Sequence, residues 1–285
     1  MKKLLLTGSS GFIGGYFISK YRNRYEIKTF SFLRDDLDSL DCSGVDVVVH
    51  LSALVHQMGG ATATEYGKVN VTQTLNLAKK AKEAGVGQFV FMSSVKVYGE
   101  ESESVYDEES VCNPQDEYGK SKLRAEIELQ KLEDENFKVT IIRTPIVYGY
   151  GVGANIKSLI KLVAKLPVLP FGKIENRRSM VYVGNLCHLV DEVIRQEKNG
   201  IFLASDDKPL STSNLIKFIA KNLDKKVYLI KIPFFEVLLK FLKPSFYKRL
   251  YGSLEIENSA TKNILKFKNP YSIEDGIKHM IKGEF

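Results

Sequence analysis

Short apolar, β-rich runs alternate with stretches of helical periodicity over the first 150 residues. Residues 2–7, 25–33, 45–51, 88–92 and 138–143 have the pattern of strands. Residues 13–21, 65–85 and 118–136 space their apolar positions as helices do. The run 45–51 (Val-Asp-Val-Val-Val-His-Leu) is nearly all apolar, as expected of a strand covered on both faces. This alternation predicts an α/β fold built on a doubly wound parallel sheet. After about residue 150 the pattern loosens. Residues 149–153, 167–172 and 206–209 are turn-like, while 156–166 and 186–196 read as helices. The expected division is a main domain over residues 1–150 and a smaller lobe, interleaved with the sheet, over residues 151–285.

Composition narrows the classes. The chain has 285 residues, 44% hydrophobic and 26% charged, enough for a sizeable core. No apolar run reaches the roughly 18 residues of a membrane span. The apolar N-terminal stretch is short and runs into glycine, so it reads as a strand and not a secretion signal. Cys42, Cys112 and Cys187 have no metal-ligand spacing, and no metal site is read. They fit a reduced, cytoplasmic setting.

Charge is uneven. Residues 1–150 hold 18 Lys+Arg against 21 Asp+Glu; residues 151–285 hold 23 against 13. An excess of +10 in the second part suits an anionic ligand or a solvated lysine-rich face. No basic helix or aromatic-basic motif points to nucleic acid. Residues 234–254 mix Phe, Leu and Lys; they read as helices packing on a core, with peripheral contact at a membrane surface as the alternative. Residues 100–109 read as an exposed acidic loop.

The chemistry begins at Thr7-Gly8-Ser9-Ser10-Gly11-Phe12-Ile13-Gly14, between the first strand and the first helix. Gly8 permits a tight turn, Gly11 lets a pyrophosphate approach the backbone, and Gly14 lets helix and strand pack closely. Ser10, Phe12 and Ile13 complete the turn, whose helix N-terminus faces the phosphates. This is a dinucleotide-binding signature with G-x-x-G-x-x-G spacing. The second strand ends at Ser31 and Arg34 without an acid at its tip. Arginine suits a 2′-phosphate, so NADP(H) is favoured, with NAD(H) the alternative if Asp35 or Asp36 takes the ribose. Leu51, Ser52 and Ala53 end the next strand with small residues that let backbone pass close to a nucleotide. His50 and His56 lack companion ligands and read as structural or hydrogen-bonding groups.

Ser94 lies at the carboxyl end of another strand, where open α/β sheets bind ligands. Its hydroxyl can position a carbonyl or cap the turn that follows. Tyr118-Gly-Lys-Ser-Lys122 puts a phenol and an ammonium one helical turn apart on one face. A cation beside the phenol would favour phenolate and lower the Tyr118 pKa from about 10.

Together these motifs resemble the extended short-chain dehydrogenase/reductases, the NAD-dependent epimerase/dehydratase family. The resemblance rests on residues 7–14, the strand end 51–53, Ser94, and Tyr118 with Lys122, in family order. It extends to Arg143-Thr-Pro-Ile-Val-Tyr-Gly149 and Arg177-Arg178-Ser-Met-Val-Tyr-Val183. It implies a Rossmann-like dinucleotide-binding domain and a substrate-binding lobe. Tyr118 would be the acid/base, Lys122 would tune it and hold the nicotinamide ribose, and Ser94 would orient the substrate. Pro145 would border the cofactor, Lys96 the substrate. Arg178 would meet the diphosphate of a nucleotide sugar, with Asn155 a second contact. Segments 94–100 and 170–179 look most like the branch of bacterial surface-polysaccharide synthesis.

The expected activity is NADPH-dependent reduction of a nucleotide-linked 4-keto-6-deoxy hexose, such as a UDP-2-acetamido sugar giving an N-acetylquinovosamine-type product. The alternative is an NAD-dependent UDP-hexose or UDP-N-acetylhexosamine 4-epimerase using the same residues. A reading of another class is a non-catalytic dinucleotide sensor. Two departures bear on these: the segment between the second strand and His50 is short, and the NAD-selective acid is missing. Family members commonly form homodimers through the helices 65–85 and 118–136, and the same is expected here.

Overall fold

The structure is a computed structural model and describes residues 1–55, 61–102 and 104–283. His56 lies outside the described residues. In chain order the elements are β1 (Lys3–Thr7), α1 (Phe12–Tyr21), β2 (Glu26–Phe30), β3 (Val47–His50) and α2 (Ala63–Tyr66). A π-helical turn, Gly67–Thr72, joins α2 to α3 (Gln73–Glu83). Then come β4 (Gln88–Ser94), a 3₁₀ turn Val95–Val97, α4 (Glu117–Gln130), β5 (Lys138–Thr144), β6 (Ile146–Tyr148), α5 (Ala154–Lys165), β7 (Val168–Leu169) and β8 (Met180–Tyr182). The chain ends with α6 (Val183–Arg195), β9 (Gly200–Leu203), α7 (Thr212–Asn222), β10 (Tyr228–Leu229), α8 (Phe235–Leu242), α9 (Pro244–Tyr251), α10 (Ser259–Leu265) and α11 (Ile273–Lys282).

Six strands pair in parallel in the order β2-β1-β3-β4-β5-β9. This is the predicted doubly wound, Rossmann-like sheet. Alternate residues point to opposite faces, and both faces are covered. Leu4, Leu6, Val47, Val49, Val90 and Ile142 join one core with α1, α6, α7 and α11. Leu5, Val48, Phe89, Phe91 and Ile141 join a second core with α3 and α4. Strand order switches between β1 and β3, which opens a crevice at their carboxyl ends. The short segment after β2 folds as a turn, leaving β2 at the sheet edge.

Several boundaries move for local reasons. β2 stops at Phe30 because Ser31 opens a turn: its amide donates to the Asp35 carboxylate, and its carbonyl accepts from Arg34. The helix expected over 118–136 stops at Gln130, where Asp134 takes the amides of Asn136 and Phe137. β9 was not predicted; its four residues, Gly-Ile-Phe-Leu, are too few to show a period. Residues 234–254 form the expected helices and pack on the core along one side only. α8 has no buried residue, and only Phe235 and Leu239 of α8 pack against the core; α9 adds Leu250 and Tyr251.

Candidate active site

The glycine turn closes over the β1 carboxyl end. Gly8 has φ +69°, and a Cβ there would lie 2.9 Å from the Leu51 carbonyl carbon and the Ser52 amide, so only glycine lets the two strand ends approach. Gly11 precedes α1 without a side-chain cap, and the first turn, opened by Phe12, Ile13 and Gly14, carries no acid. Ser10 is exposed at the tip. Uncapped amides at a helix N-terminus suit a phosphate. The residues present therefore fit a dinucleotide.

Beneath this turn His50 is almost fully buried between two hydroxyls. Its Nδ1 lies 2.7 Å from Thr7 Oγ1 and its Nε2 2.9 Å from Thr74 Oγ1. The Thr74 hydroxyl donates to the Asn70 carbonyl, so the imidazole donates from Nε2 and accepts at Nδ1. Burial, aided by the Lys122 charge, lowers its pKa to about 3 and keeps it neutral. The Thr7 hydroxyl oxygen also accepts from the Ser52 amide, 3.2 Å away, tying β1 to Leu51-Ser52-Ala53. Asn70, in the π-turn, holds the next stretch: it accepts from the Leu54 amide, and its own amide donates to the Leu54 carbonyl and to Ser121 of α4. Nothing in the local sequence marked Asn70.

α4 brings Tyr118 and Lys122 to the β4 end. Asp116 caps it by accepting from the Gly119 amide at 2.7 Å. A Cβ on Gly119 would lie 2.6 Å from the Lys96 carbonyl, so glycine lets α4 press against the turn that follows Ser94. Ser94 Oγ caps the turn by accepting from the Lys96 amide and also hydrogen-bonds the Tyr118 side chain. Tyr118, Lys122 and Glu126 fall four residues apart along one stripe. Lys122 is 2% exposed and donates to the Met92 carbonyl at 2.8 Å, with its Nζ 4.5 Å from the Phe91 ring centroid.

The expected lowering of the Tyr118 pKa is not what the geometry produces. Burial raises it to about 12, against the opposing hydrogen bond with Ser94, and Lys122 is turned to a backbone carbonyl. The lysine itself falls to about 7, because desolvation outweighs the pull of Glu126. Glu126 is paired with Arg143 at 2.7 Å and accepts from Ser93; Arg143 also donates to Tyr98 Oη at 2.7 Å. This buried network fixes α4 on β4 and β5.

Ser94, Lys96, Tyr118, Pro145, Asn155 and Arg178 all line one cavity of about 570 Å³. The glycine turn, Ser31 and Arg34 lie outside it, at the carboxyl ends of β1 and β2. Lys96 is held by the carboxylates of Glu100 and Asp116. Arg178 reaches the carboxyl end of α9, donating to the carbonyls of Lys248, Arg249 and Gly252 at 3.1–3.3 Å. Burial lowers its pKa while Glu100 and Glu101 oppose that. Asn155 Oδ1 accepts from Arg249 at 3.3 Å. Thr144, Ser179, Lys248 and Arg249 also line the cavity and were not anticipated. For Lys248 and Arg249 the one signal was the +10 charge of the second part, which cannot say which of its cations converge; Thr144 and Ser179 had none. Away from the cavity, His188, Asp191 and Glu192 cluster on α6. Asp191 is engaged by Arg24 and Tyr25, and Glu192 by Arg195.

A family model described as the NAD dependent epimerase/dehydratase family matches residues 4–204. The chain belongs to this family. It is 36% identical to a "UDP-glucose 4-epimerase" of Vibrio cholerae over 97% of this chain and 94% of that one. It is 26% identical to an "N-acetyl-alpha-D-glucosaminyl-diphospho-ditrans,octacis-undecaprenol 4-epimerase" of Escherichia coli O157:H7, over 99% and 95%. Among solved structures it matches a UDP-glucuronic acid 4-epimerase from Bacillus cereus in complex with NAD, with a TM-score of 0.78 and 20% identity over 98% and 97% of the two chains. At that identity the likeness bears on the fold. As a member of this family the chain is a nicotinamide-dinucleotide enzyme.

Proposed function

We propose that the protein is a sugar 4-epimerase acting on a hexose or N-acetylhexosamine carried on a diphosphate. The observation that carries the reading is the shared cavity: Tyr118 and Ser94 at one part, Arg178 and Arg249 at another. Acid/base groups thus face the same space as cations suited to a diphosphate. Two relatives matched over nearly the whole chain are named as 4-epimerases, one with a UDP carrier and one with a polyprenyl diphosphate, which supports epimerisation over net reduction.

When bound, the nicotinamide supplies the hydride acceptor and donor at sugar C4. Tyr118 would take the proton from the C4 hydroxyl and later return one to the C4 oxygen, with Ser94 holding that oxygen. A phenol at about 12 is protonated at neutral pH, so the first transfer calls for a nearby cation. Lys122, one turn along α4, would supply it by turning from the Met92 carbonyl towards the phenol. Gly8, Ser10, Gly11, Phe12, Ile13 and Gly14 would hold the pyrophosphate, Leu51-Ser52-Ala53 and Pro145 would flank the cofactor, and Lys96 and Asn155 would border the sugar diphosphate.

A second reading, the NADPH-dependent 4-keto reductase, draws on the β2 tip. Asp35 is tied to the Ser31 amide, leaving exposed Arg34 to meet a 2′-phosphate. One experiment separates the two. The nucleotide released from denatured pure protein is identified, and UDP-glucose and UDP-N-acetylglucosamine are then offered without added cofactor. Bound NAD and interconversion are expected. An empty protein that only oxidises NADPH against a 4-keto sugar would reverse the choice. A reducing, cytoplasmic setting is proposed from the three free thiols, a homodimer through α3 and α4 from resemblance, and a substrate lobe over residues 151–285 from the C-terminal share of the cavity.

A further inference from the structure

α8 carries apolar side chains on two faces. Phe235 and Leu239 pack inward, the first against Phe171 with ring centroids 6.3 Å apart. Val237, Leu238, Phe241 and Leu242 form a second stripe at i, i+1, i+4 and i+5, Phe234 immediately precedes the helix, and each of the five is 54–86% exposed. Tyr228, Ile230 and Ile232 add exposed apolar surface just before it. A helix apolar all round is ordinarily buried, and a continuous exposed apolar stripe marks a contact surface.

The surrounding charge says what the contact is with. Residues 225–249 hold seven Lys or Arg and a single acid, Glu236. Lys225, Lys226, Lys231, Lys240, Lys243 and Lys248 are all exposed. Large apolar side chains among lysines suit an anionic bilayer: the acyl boundary takes the rings and the headgroups take the ammonium groups. Among the described residues no helix is long and apolar enough to cross a membrane, so the contact is peripheral.

This surface is continuous with the cleft through α9. Lys248 and Arg249 line the 570 Å³ cavity. Phe246, Arg249 and Leu250 line a second cavity of about 340 Å³, walled mainly by apolar groups such as Leu159, Leu162, Phe171 and Leu215. The two cavities share Ile146, Asn155, Arg178 and Arg249. Outward from Tyr118 the order is therefore a chamber of mixed lining that holds Ser94 and Lys96, an arginine pair and an apolar chamber walled by the helix that follows α8.

We propose that α8 and α9 seat the protein on an anionic bilayer, and that the sugar it acts on is carried on a lipid diphosphate. Arg178 and Arg249 bind the diphosphate, and the apolar cavity takes the first part of the chain. The substrate half rests on the 4-epimerase reading; the docking half does not.

The test uses the full chain with phosphatidylcholine vesicles, with and without phosphatidylglycerol. The parent protein should sediment with the phosphatidylglycerol vesicles and come off as salt rises. Phe234→Glu with Phe241→Glu should weaken that partition by about tenfold or more, with thermal midpoint and bound dinucleotide unchanged. In the same vesicles the parent should interconvert N-acetylhexosaminyl-diphospho-polyprenol about tenfold faster than the variant. Absence of sedimentation, or equal sedimentation of the variant, would overturn the docking. So would self-association that the variant abolishes, since a second copy would then cover the patch. Turnover of UDP-sugars alone would overturn the lipid carrier. Turnover of neither substrate would retire the epimerase reading and the lipid carrier together, while sedimentation still decides the docking.

Discussion

α4 and α8 depart from the usual inside-outside rule in opposite directions. α4 buries a lysine, Lys122, and a carboxylate, Glu126, at 2% and 1% exposure; α8 leaves Val237 and Phe241 at 65% and 86%. On α4 each departure is answered within the chain: Lys122 by the Met92 carbonyl, Glu126 by Arg143 and Ser93. A buried charge without such partners is among the least favourable arrangements in a protein. On α8 no described residue covers the outer stripe. The two helices show that a broken rule points inward when the fold satisfies it and outward when it does not.

Substitutions can break this contrast, and the largest effect is expected on α4. Tyr118→Phe should lower sugar interconversion by a factor on the order of 10²–10⁴ while the dinucleotide still binds, as followed by product chromatography and nucleotide release. Comparable turnover in that variant would remove Tyr118 from the mechanism. Glu126→Gln leaves Arg143 buried without its carboxylate and should cost about 3–5 kcal/mol of stability in urea unfolding. A change as small as that of an exposed residue would mean that the ion pair is replaceable.

A pH effect comes next. His50 is neutral in the fold, with a pKa of about 3, against about 6.5 in an unfolded chain. Its contribution is fully present above pH ~6.5. Below that the unfolded chain takes up a proton that the native state refuses, so stability falls by about 1.4 kcal/mol per pH unit towards pH 3. His50→Gln should flatten the slope between about pH 6.5 and 5, before carboxylates titrate; an unchanged slope would assign it elsewhere. The smallest effect belongs to α8. Phe241→Ser should change stability by no more than about 0.5 kcal/mol, since nothing in the fold depends on that ring. A loss of several kcal/mol would show that the outer stripe is covered within the protein after all.

Much of the fold was legible because it is written locally. The Gly8–Gly14 turn, the apolar run ending at His50, and Tyr118 four residues before Lys122 each sit within one strand-turn or one helix face. Arg178 and Asn155 were found only through resemblance, and the structure brings both to the Tyr118 cavity. Lys248, Arg249 and Asn70 were not seen. Their place depends on where α9 and the π-turn dock, and no local pattern encodes that. The Tyr118 pKa was expected on the wrong side of 10, because spacing reveals which groups are neighbours but not which way an ammonium points.

By itself the sequence determined the alternation of strands and helices in the first half, the parallel sheet, the glycine turn between β1 and α1 and the placing of Tyr118 and Lys122 on one helix face, since each follows from short-range sterics and periodicity. Only the tertiary structure decided which distant cations meet in the cleft, which way Lys122 turns, and that α8 presents a second apolar face to the outside. Those are outcomes of packing between segments far apart in the chain, where burial and competing partners, not spacing, set the final arrangement.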